Sequence, residues 1–233
     1  MAPAGGVAGG ARSKMLLPLA GEPLLRHTVR AFQDVAGIAG VRVIARADEV
    51  ADFDRAFADR GRWPRLGAWI LGGAERQDSV RLGLAALPAD AEGCPDRVLV
   101  HDGARPLVSA DLIRRVLAAL DTATAAVPVV PIFDTVRTAG GSGRSGGVVD
   151  RTGLRLAQTP QGFHWDVLWE AHQQAQGRSD AATDDAQLVE RLGRPVVLVP
   201  GERRNLKVTV PEDLDWAEWV LRHPKWGTEP ATV

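Results

Sequence analysis

Between Gly21 and Val130, short β-branched runs alternate with segments whose apolar residues recur every three or four positions. Leu24, Leu25, Thr28, Val29, Phe32 and Val35 keep helical spacing from Pro23, which suits a helix start, to Gly37, which suits a stop. The run VRVIA at 41–45 precedes a polar helical stretch at 48–60, and AWIL at 68–71 ends at Gly72-Gly73 before a helix at 79–87. The run RVLVH at 97–101 ends at Asp102-Gly103, a helix follows at 109–120, and 126–130 is again strand-like. This order predicts an α/β protein with a mostly parallel, doubly wound (Rossmann-like) sheet covered by helices. Right-handed crossovers then gather the strands' C-terminal ends on one edge, where ligands of such sheets bind.

The second half breaks the rhythm. Two β-like runs, 134–138 and 148–150, flank the turn AGGSGRSGG at 139–147. Joined this way they predict a protruding β-arm, inserted at about 134–158. A lone two-stranded arm is marginal in water, so it is expected to pack on a second copy, making a homodimer. Helices are expected at 164–176 and 184–192, a strand at 196–199, and a last helix at 211–221 capped by Thr209 or a neighbour. Residues 223–233 carry no pattern. No repeat or boundary interrupts the chain, which reads as a single domain over 1–233.

Composition narrows the function classes. Twenty-eight basic residues against 29 acidic ones leave no field to hold nucleic acid or an anionic membrane. The seven tryptophans do not interleave with basic residues; Trp165/Trp169 and Trp216/Trp219 are spaced for packing. One cysteine, Cys94, excludes an intrachain disulfide or a cysteine-based zinc finger. No apolar run nears the ~20 residues of a membrane helix, and the opening MAPAGGVAGGARSK lacks a signal peptide's apolar stretch. A cytoplasmic globular protein is the expectation. Only three basic residues are lysines, Lys14, Lys207 and Lys225, which in so arginine-rich a chain marks them as places where a compact ammonium is wanted.

Several segments are candidates for chemistry, each with a bland alternative. The opening around Ala4, Gly5 and Gly6, followed by Lys14, can bring backbone N–H groups and a cation to phosphate oxygens. It matches neither G-x-x-x-x-G-K-[ST] nor G-x-G-x-x-G, and the alternative is a Gly/Ala-rich terminus without a ligand role. HDGARP at 101–106 puts Asp102 and Arg105 at a strand end, either as a site or as a pair that stabilises a turn. In GGAERQDS at 72–79, Ser79 is placed either to cap a helix or to read a nucleobase. Thr135, Thr159 and the segment NLKVT at 205–209 add polar groups to apolar surroundings, and Thr183-Asp184-Asp185 reads as a helix cap. His27, His164, His172 and His223 read as surface or packing residues, with no H-E-x-x-H and no G-x-S-x-G in the chain.

Taken in order, HDGARP, DTVR, DRTGLRLAQTPQGF, TDDA and LKVT, with LAGEPLLRHTV and GGAERQDSV before them, make a specific set. The chain from about Pro3 to Leu221 resembles the 2-C-methyl-D-erythritol 4-phosphate cytidylyltransferases of non-mevalonate isoprenoid synthesis. The resemblance implies a pyrophosphorylase-like α/β fold, a dimerising β-arm, and Mg²⁺-aided transfer of CMP from CTP to a polyol phosphate with release of pyrophosphate. It implies that Lys14 stabilises the α-phosphate transition state and that Lys207 holds the triphosphate and the incoming phosphate. Asp102, Arg105 and Thr135 would contact the polyol phosphate, and Arg151 and Thr159 would reach its phosphate from the partner subunit. Gly73, Ala74 and Ser79 would read cytosine, with Ala4, Gly5, Gly6 and Gly103 near the nucleotide. No metal ligand is assigned.

The opening departs from the family's pattern, a core strand and then P-A-A-G-x-G-x-R before a Pro-Lys pair. The loop is about three residues shorter, position 7 is Val, Ser13 stands where proline is usual, and Arg12 is offset from the loop arginine. The expectation is either a start upstream of Met1 or a reduced nucleotide loop. The alternative functions are CMP transfer to another polyol phosphate such as ribitol 5-phosphate, or a non-catalytic paralogue.

Overall fold

The computed structural model describes residues 13–87, 94–178, 180, 182–227 and 229–231. Its elements in chain order are β1 (Pro18–Leu19), β2 (Glu22–Pro23), α1 (Leu24–Gln33), β3 (Ile44–Ala45), α2 (Val50–Ala56), β4 (Ile70–Leu71), α3 (Arg76–Ala86), β5 (Arg97–Val100) and α4 (Ala110–Ala119). There follow β6 (Ala125–Pro131), β7 (Val136–Ala139), β8 (Ser145–Val149), β9 (Arg155–Ala157), β10 (Gln161–His164), α5 (Trp165–Gln174), α6 (Asp185–Arg191), β11 (Val197–Pro200) and α7 (Pro211–Arg222). The central sheet runs β11-β6-β10-β5, with β9 also paired to β6. β3 and β4 form a separate parallel pair, and β7 and β8 an antiparallel one.

The doubly wound layering follows from β6, which is buried on both faces and sends alternate residues into different cores. Ala125, Val127 and Val129 join one core with Val80 and Leu84 of α3, Leu168 and Ala171 of α5, and Leu188 and Val189 of α6. Ala126, pointing the other way, joins Phe32 and Val35 with Leu112, Ile113 and Val116 of α4. Leu112, Ile113 and Val116 are wholly buried, a stripe at helical spacing, and truncating such a residue costs about 2–5 kcal/mol. Ser109 starts α4 by accepting a hydrogen bond from the Leu112 N–H at 2.9 Å. At α7 the cap is Asp213, which accepts from the N–H groups of Thr209 at 2.7 Å and Val210 at 3.0 Å.

Three local expectations change. β10 has no counterpart among the expected strands; it lies antiparallel between β5 and β6, so three of the five strands share a direction and two oppose it. Gly162 permits this placement: a Cβ there would stand 2.6 Å from Val116 Cγ1. The helix expected at 48–60 is shortened to Val50–Ala56, after which Asp59 is drawn off by paired hydrogen bonds from Arg26 at 3.0 and 2.7 Å. The third is at Ser79, which lies inside α3 and does not cap it, because the helix begins at Arg76. In the unpatterned tail, Trp226 meets the edges of Trp216 and Trp219 at 5.0 and 5.8 Å. Among the described residues no helix is long and apolar enough to cross a membrane.

Candidate active site

The C-terminal end of β5 delivers His101 and Asp102 to the ligand edge of the sheet, and a tight turn brings Arg105 back, its N–H donating to the Asp102 carbonyl at 2.9 Å. Asp102 Oδ2 then lies 3.1 Å from Lys207 Nζ and 3.5 Å from Arg105 Nε. The four residues that sequence reasoning took from three separate segments, Asp102, Arg105, Thr159 and Lys207, meet here. Thr159 Oγ1 accepts from the Asp102 N–H at 3.0 Å and contacts His101 Nδ1 at 3.1 Å. It is buried within its own chain's cluster.

The segment carrying Lys207 is strapped in place. Val208 donates to the Ala104 carbonyl at 2.8 Å, and Arg105 Nη1 donates to the Asn205 carbonyl at 2.8 Å. Asn205, wholly buried, donates to the Thr159 carbonyl at 2.8 Å. Buried Glu202 accepts from Ser109 Oγ at 2.7 Å, and Gln158 donates to its carbonyl at 2.9 Å. The Lys207 side chain at the tip of this strap is 45% exposed and that of Asp102 19%. Burial works against charge on Asp102, but the Lys207 ammonium, then Arg105 and Arg76, overcome it and hold the carboxyl below its ordinary value. Beside it, burial pushes the His101 imidazole down to about 4, so this ring is neutral at neutral pH.

A second loop, residues 72–75, leads into α3 on the same edge. Ser79 Oγ accepts from the Gly73 N–H at 3.1 Å and folds the loop back onto α3, while Gly73 and Ala74 remain exposed. The turn needs glycine, because a Cβ on Gly73 would stand 2.4 Å from Asp78 Cβ. Gly103 connects the edge to the segment that follows the Gly-rich opening. Its carbonyl accepts from Thr28 Oγ1 at 2.8 Å, and a Cβ there would stand 3.1 Å from Met15 Sδ. Lys14, next to Met15, is exposed and has no ion-pair partner among the described residues. Ala4, Gly5 and Gly6 lie outside the described residues. Thr135 and Arg151 are exposed at the base of the β7–β8 arm, and among the described residues no hydrogen bond or ion pair joins either to the Asp102 cluster of the same chain.

A strand-end carboxylate flanked by cations, beside an open loop of backbone donors, is suited to a polyanionic ligand. The sequence profile of the 2-C-methyl-D-erythritol 4-phosphate cytidylyltransferase family matches residues 2–223. The chain belongs to that family. The Synechococcus elongatus 2-C-methyl-D-erythritol 4-phosphate cytidylyltransferase is 42% identical over 214 residues, 92% of this chain and 90% of that protein. The crystal structure of the Thermus thermophilus enzyme of the same name is 41% identical, covers 91% of this chain and 96% of that one, and has a TM-score of 0.74. The 4-diphosphocytidyl-2C-methyl-D-erythritol synthase structure from Anaerococcus prevotii is 26% identical over 92% of each chain, with a TM-score of 0.79. The chain is therefore an enzyme, a cytidylyltransferase of isoprenoid biosynthesis.

Residues that sequence reasoning missed stand behind the cytidylyltransferase site. Arg76, at the first position of α3, donates to Asp185 Oδ2 at 2.6 Å, and His172 meets Asp185 Oδ1 at 3.0 Å, both Asp185 and His172 being buried. Burial opposes the charge on Arg76, yet Asp185, with Asp102 and Asp184 behind it, holds its pKa above the ordinary value. One signal was available: an arginine at the positive end of a helix is unfavourable unless an acid compensates. Asp184, as expected, caps α6, accepting from the Gln187 N–H at 3.0 Å.

A divalent cation fits this edge in one way only. Among the described residues no three His, Cys, Asp or Glu side chains gather as a metal site. Asp102 commits Oδ2 to Lys207 and Arg105, which leaves Oδ1 as a hard oxygen donor. One carboxylate plus substrate phosphates is a common arrangement for Mg²⁺.

Proposed function

We propose that the chain transfers CMP from CTP to 2-C-methyl-D-erythritol 4-phosphate, giving 4-diphosphocytidyl-2-C-methyl-D-erythritol and pyrophosphate. The observation that carries this reading is Asp102 with Lys207 and Arg105 gathered at the end of β5, beside the open loop at 72–75. A phosphate oxygen of the acceptor attacks the α-phosphorus of CTP in line; the new P–O bond forms as the bond to the bridging oxygen of pyrophosphate breaks. The chain has little covalent chemistry to perform, so its work is positioning and charge stabilisation.

In this reading Lys14 neutralises the α-phosphate and Lys207 holds the triphosphate against the incoming phosphate. Asp102 orients Lys207 and Arg105 and accepts from the acceptor's hydroxyls. Mg²⁺, when bound by Asp102 Oδ1 and phosphate oxygens, would supply further charge neutralisation. Gly73, Ala74 and Ser79 receive the cytosine edge, with Gly103 and the opening residues Ala4, Gly5 and Gly6 near the nucleotide. Thr135 and Arg151, exposed on the arm, serve the acceptor bound by a second copy, and the protein works as a cytoplasmic homodimer.

The test is pyrophosphate release by purified protein given CTP, Mg²⁺ and 2-C-methyl-D-erythritol 4-phosphate, with ribitol 5-phosphate as the competing acceptor. Release that requires the erythritol phosphate and falls in Lys14→Ala supports the reading. A preference for ribitol 5-phosphate, or no release from folded protein, overturns it.

A further inference from the structure

The residues after α7 carry no sequence pattern, yet they close over the segment that bears Lys207. Gly201, where that segment leaves β11, donates its N–H to the Val129 carbonyl at 2.8 Å, and its own carbonyl accepts from the Ala231 N–H at 2.9 Å. Glu202, the next residue, forms an antiparallel bridge with Pro230. Arg204 Nη1 donates to the Pro224 carbonyl at 2.8 Å. Gly227 lies against the Arg204 backbone: a Cβ there would stand 3.1 Å from the Arg204 nitrogen, and its φ of +64° is one that glycine adopts without strain.

The tail also reaches both neighbours of Lys207 through the core. Val208 belongs to a buried cluster with Leu19, Leu107, Ala217 and Val220, and Leu206 and Trp226 pack against that same cluster. The segment itself is an irregular turn, closed by the Asn205 N–H to the Glu202 carbonyl at 3.1 Å and the Leu206 N–H to the Arg204 carbonyl at 2.7 Å. An irregular segment keeps one geometry only where other elements tie it down. After His223 the tail lies outside the stretch matched by the family's profile, whereas the segment it closes over lies inside.

We propose that Pro224, Trp226, Gly227, Pro230 and Ala231 are positioning residues of the cytidylyltransferase site, a clasp that holds the 201–208 segment so that the Lys207 ammonium stays against Asp102. The proposal rests on the reading of Lys207 as the cation that holds the phosphates. The clasp acts through Lys207 and not on the substrate. Its contacts are backbone bonds at Gly201 and Glu202, a side-chain bond at Arg204 and apolar packing beside Leu206 and Val208.

The test compares the full chain with a truncation after His223, with Gly227→Val and with Trp226→Phe. Amide hydrogen exchange is followed at Asn205 and Val208, together with kcat for pyrophosphate release from CTP and 2-C-methyl-D-erythritol 4-phosphate. In the truncation and in Gly227→Val, exchange at Asn205 and Val208 should be about 10–100-fold faster, with Val116 of α4 and Phe163 of β10 unchanged. In the same two variants kcat should fall about tenfold, since a misplacement of about 1 Å can cost 10²-fold. Trp226→Phe keeps an aromatic ring in the cluster and should stay within about threefold of the full chain. In a Lys207→Ala background the truncation should lower kcat no further, whereas a merely structural role would lower both backgrounds alike. If the truncated chain fails to fold, Gly227→Val carries the comparison, because it deletes no packing atom. Unchanged exchange at Asn205 and Val208, equally faster exchange at the core amides, unchanged kcat despite faster exchange, or an equal fall in the Lys207→Ala background overturns the proposal. If the full chain releases no pyrophosphate, the cytidylyl-transfer reading fails by itself, and exchange at Asn205 and Val208 still decides whether the clasp holds the segment.

Discussion

Asp102 and Arg151 occupy opposite extremes of this molecule. Asp102 sits at a strand end with its N–H, its carbonyl and one carboxylate oxygen all engaged within the chain. Arg151 stands exposed in the turn after β8, and among the described residues only its backbone carbonyl is engaged, by the Leu154 N–H at 3.0 Å. The first region holds its geometry by itself. The second holds a charge outward on a hairpin with little to pack against, which makes sense for a group that completes a site on another copy. The contrast divides the proposed reaction into a part built into each chain and a part lent by its neighbour.

The largest expected effects fall on the cations of the built region. Lys207→Ala and Lys14→Ala should each lower kcat by about 10²–10³, the loss expected when one transition-state cation is removed. Thermal melting of the Lys14 variant should be unchanged because that side chain is exposed. Equal loss of kcat and of stability would erase the proposed catalytic role. On the arm, Arg151→Ala should raise KM for the acceptor about 10–100-fold through one lost charge-assisted contact, while KM for CTP stays put. A rise in both would move Arg151 off the acceptor.

A smaller effect tests the support behind the built region. Asp185→Asn removes the charge shared by Arg76 and buried His172 and should cost about 2–3 kcal/mol in denaturant unfolding. The smallest is a pH effect at His101. The unfolded chain takes up this proton below about 6.5 and the folded chain only below about 4. Stability is therefore lost as pH falls through that window, and His101→Gln should flatten the slope. A variant with the same slope would show that another group titrates there.

The same contrast explains what was legible in the sequence. The βα alternation and the Gly-rich turn of the arm are local signals, and both survive in the structure as α/β layering and the β7–β8 hairpin. HDGARP stood out because a strand end is a ligand position whatever lies beyond it. β10 did not, since Gln161-Gly162-Phe163-His164 holds no β-branched residue, and the fit of Gly162 and His164 is set by α4 and by the Leu120 carbonyl, which contacts His164 Nε2 at 3.1 Å. Arg76 and Asp185 pair across 109 positions, and His172 looked like a packing residue until the fold placed it on that acid. Such pairings have no period in the chain.

The division between built and lent parts is tested most directly by mixing two impaired variants, Lys207→Ala and Arg151→Ala, after dissociation and reassociation, with the acceptor held below its KM. Each alone spoils every site. In a mixed dimer one site combines an intact Lys207 with an intact Arg151 from the neighbour, and half of the dimers are mixed, so about a quarter of the unmodified rate should return. No recovery from dimers verified as mixed would mean that Arg151 serves its own chain or neither, and the account of a shared site would be wrong.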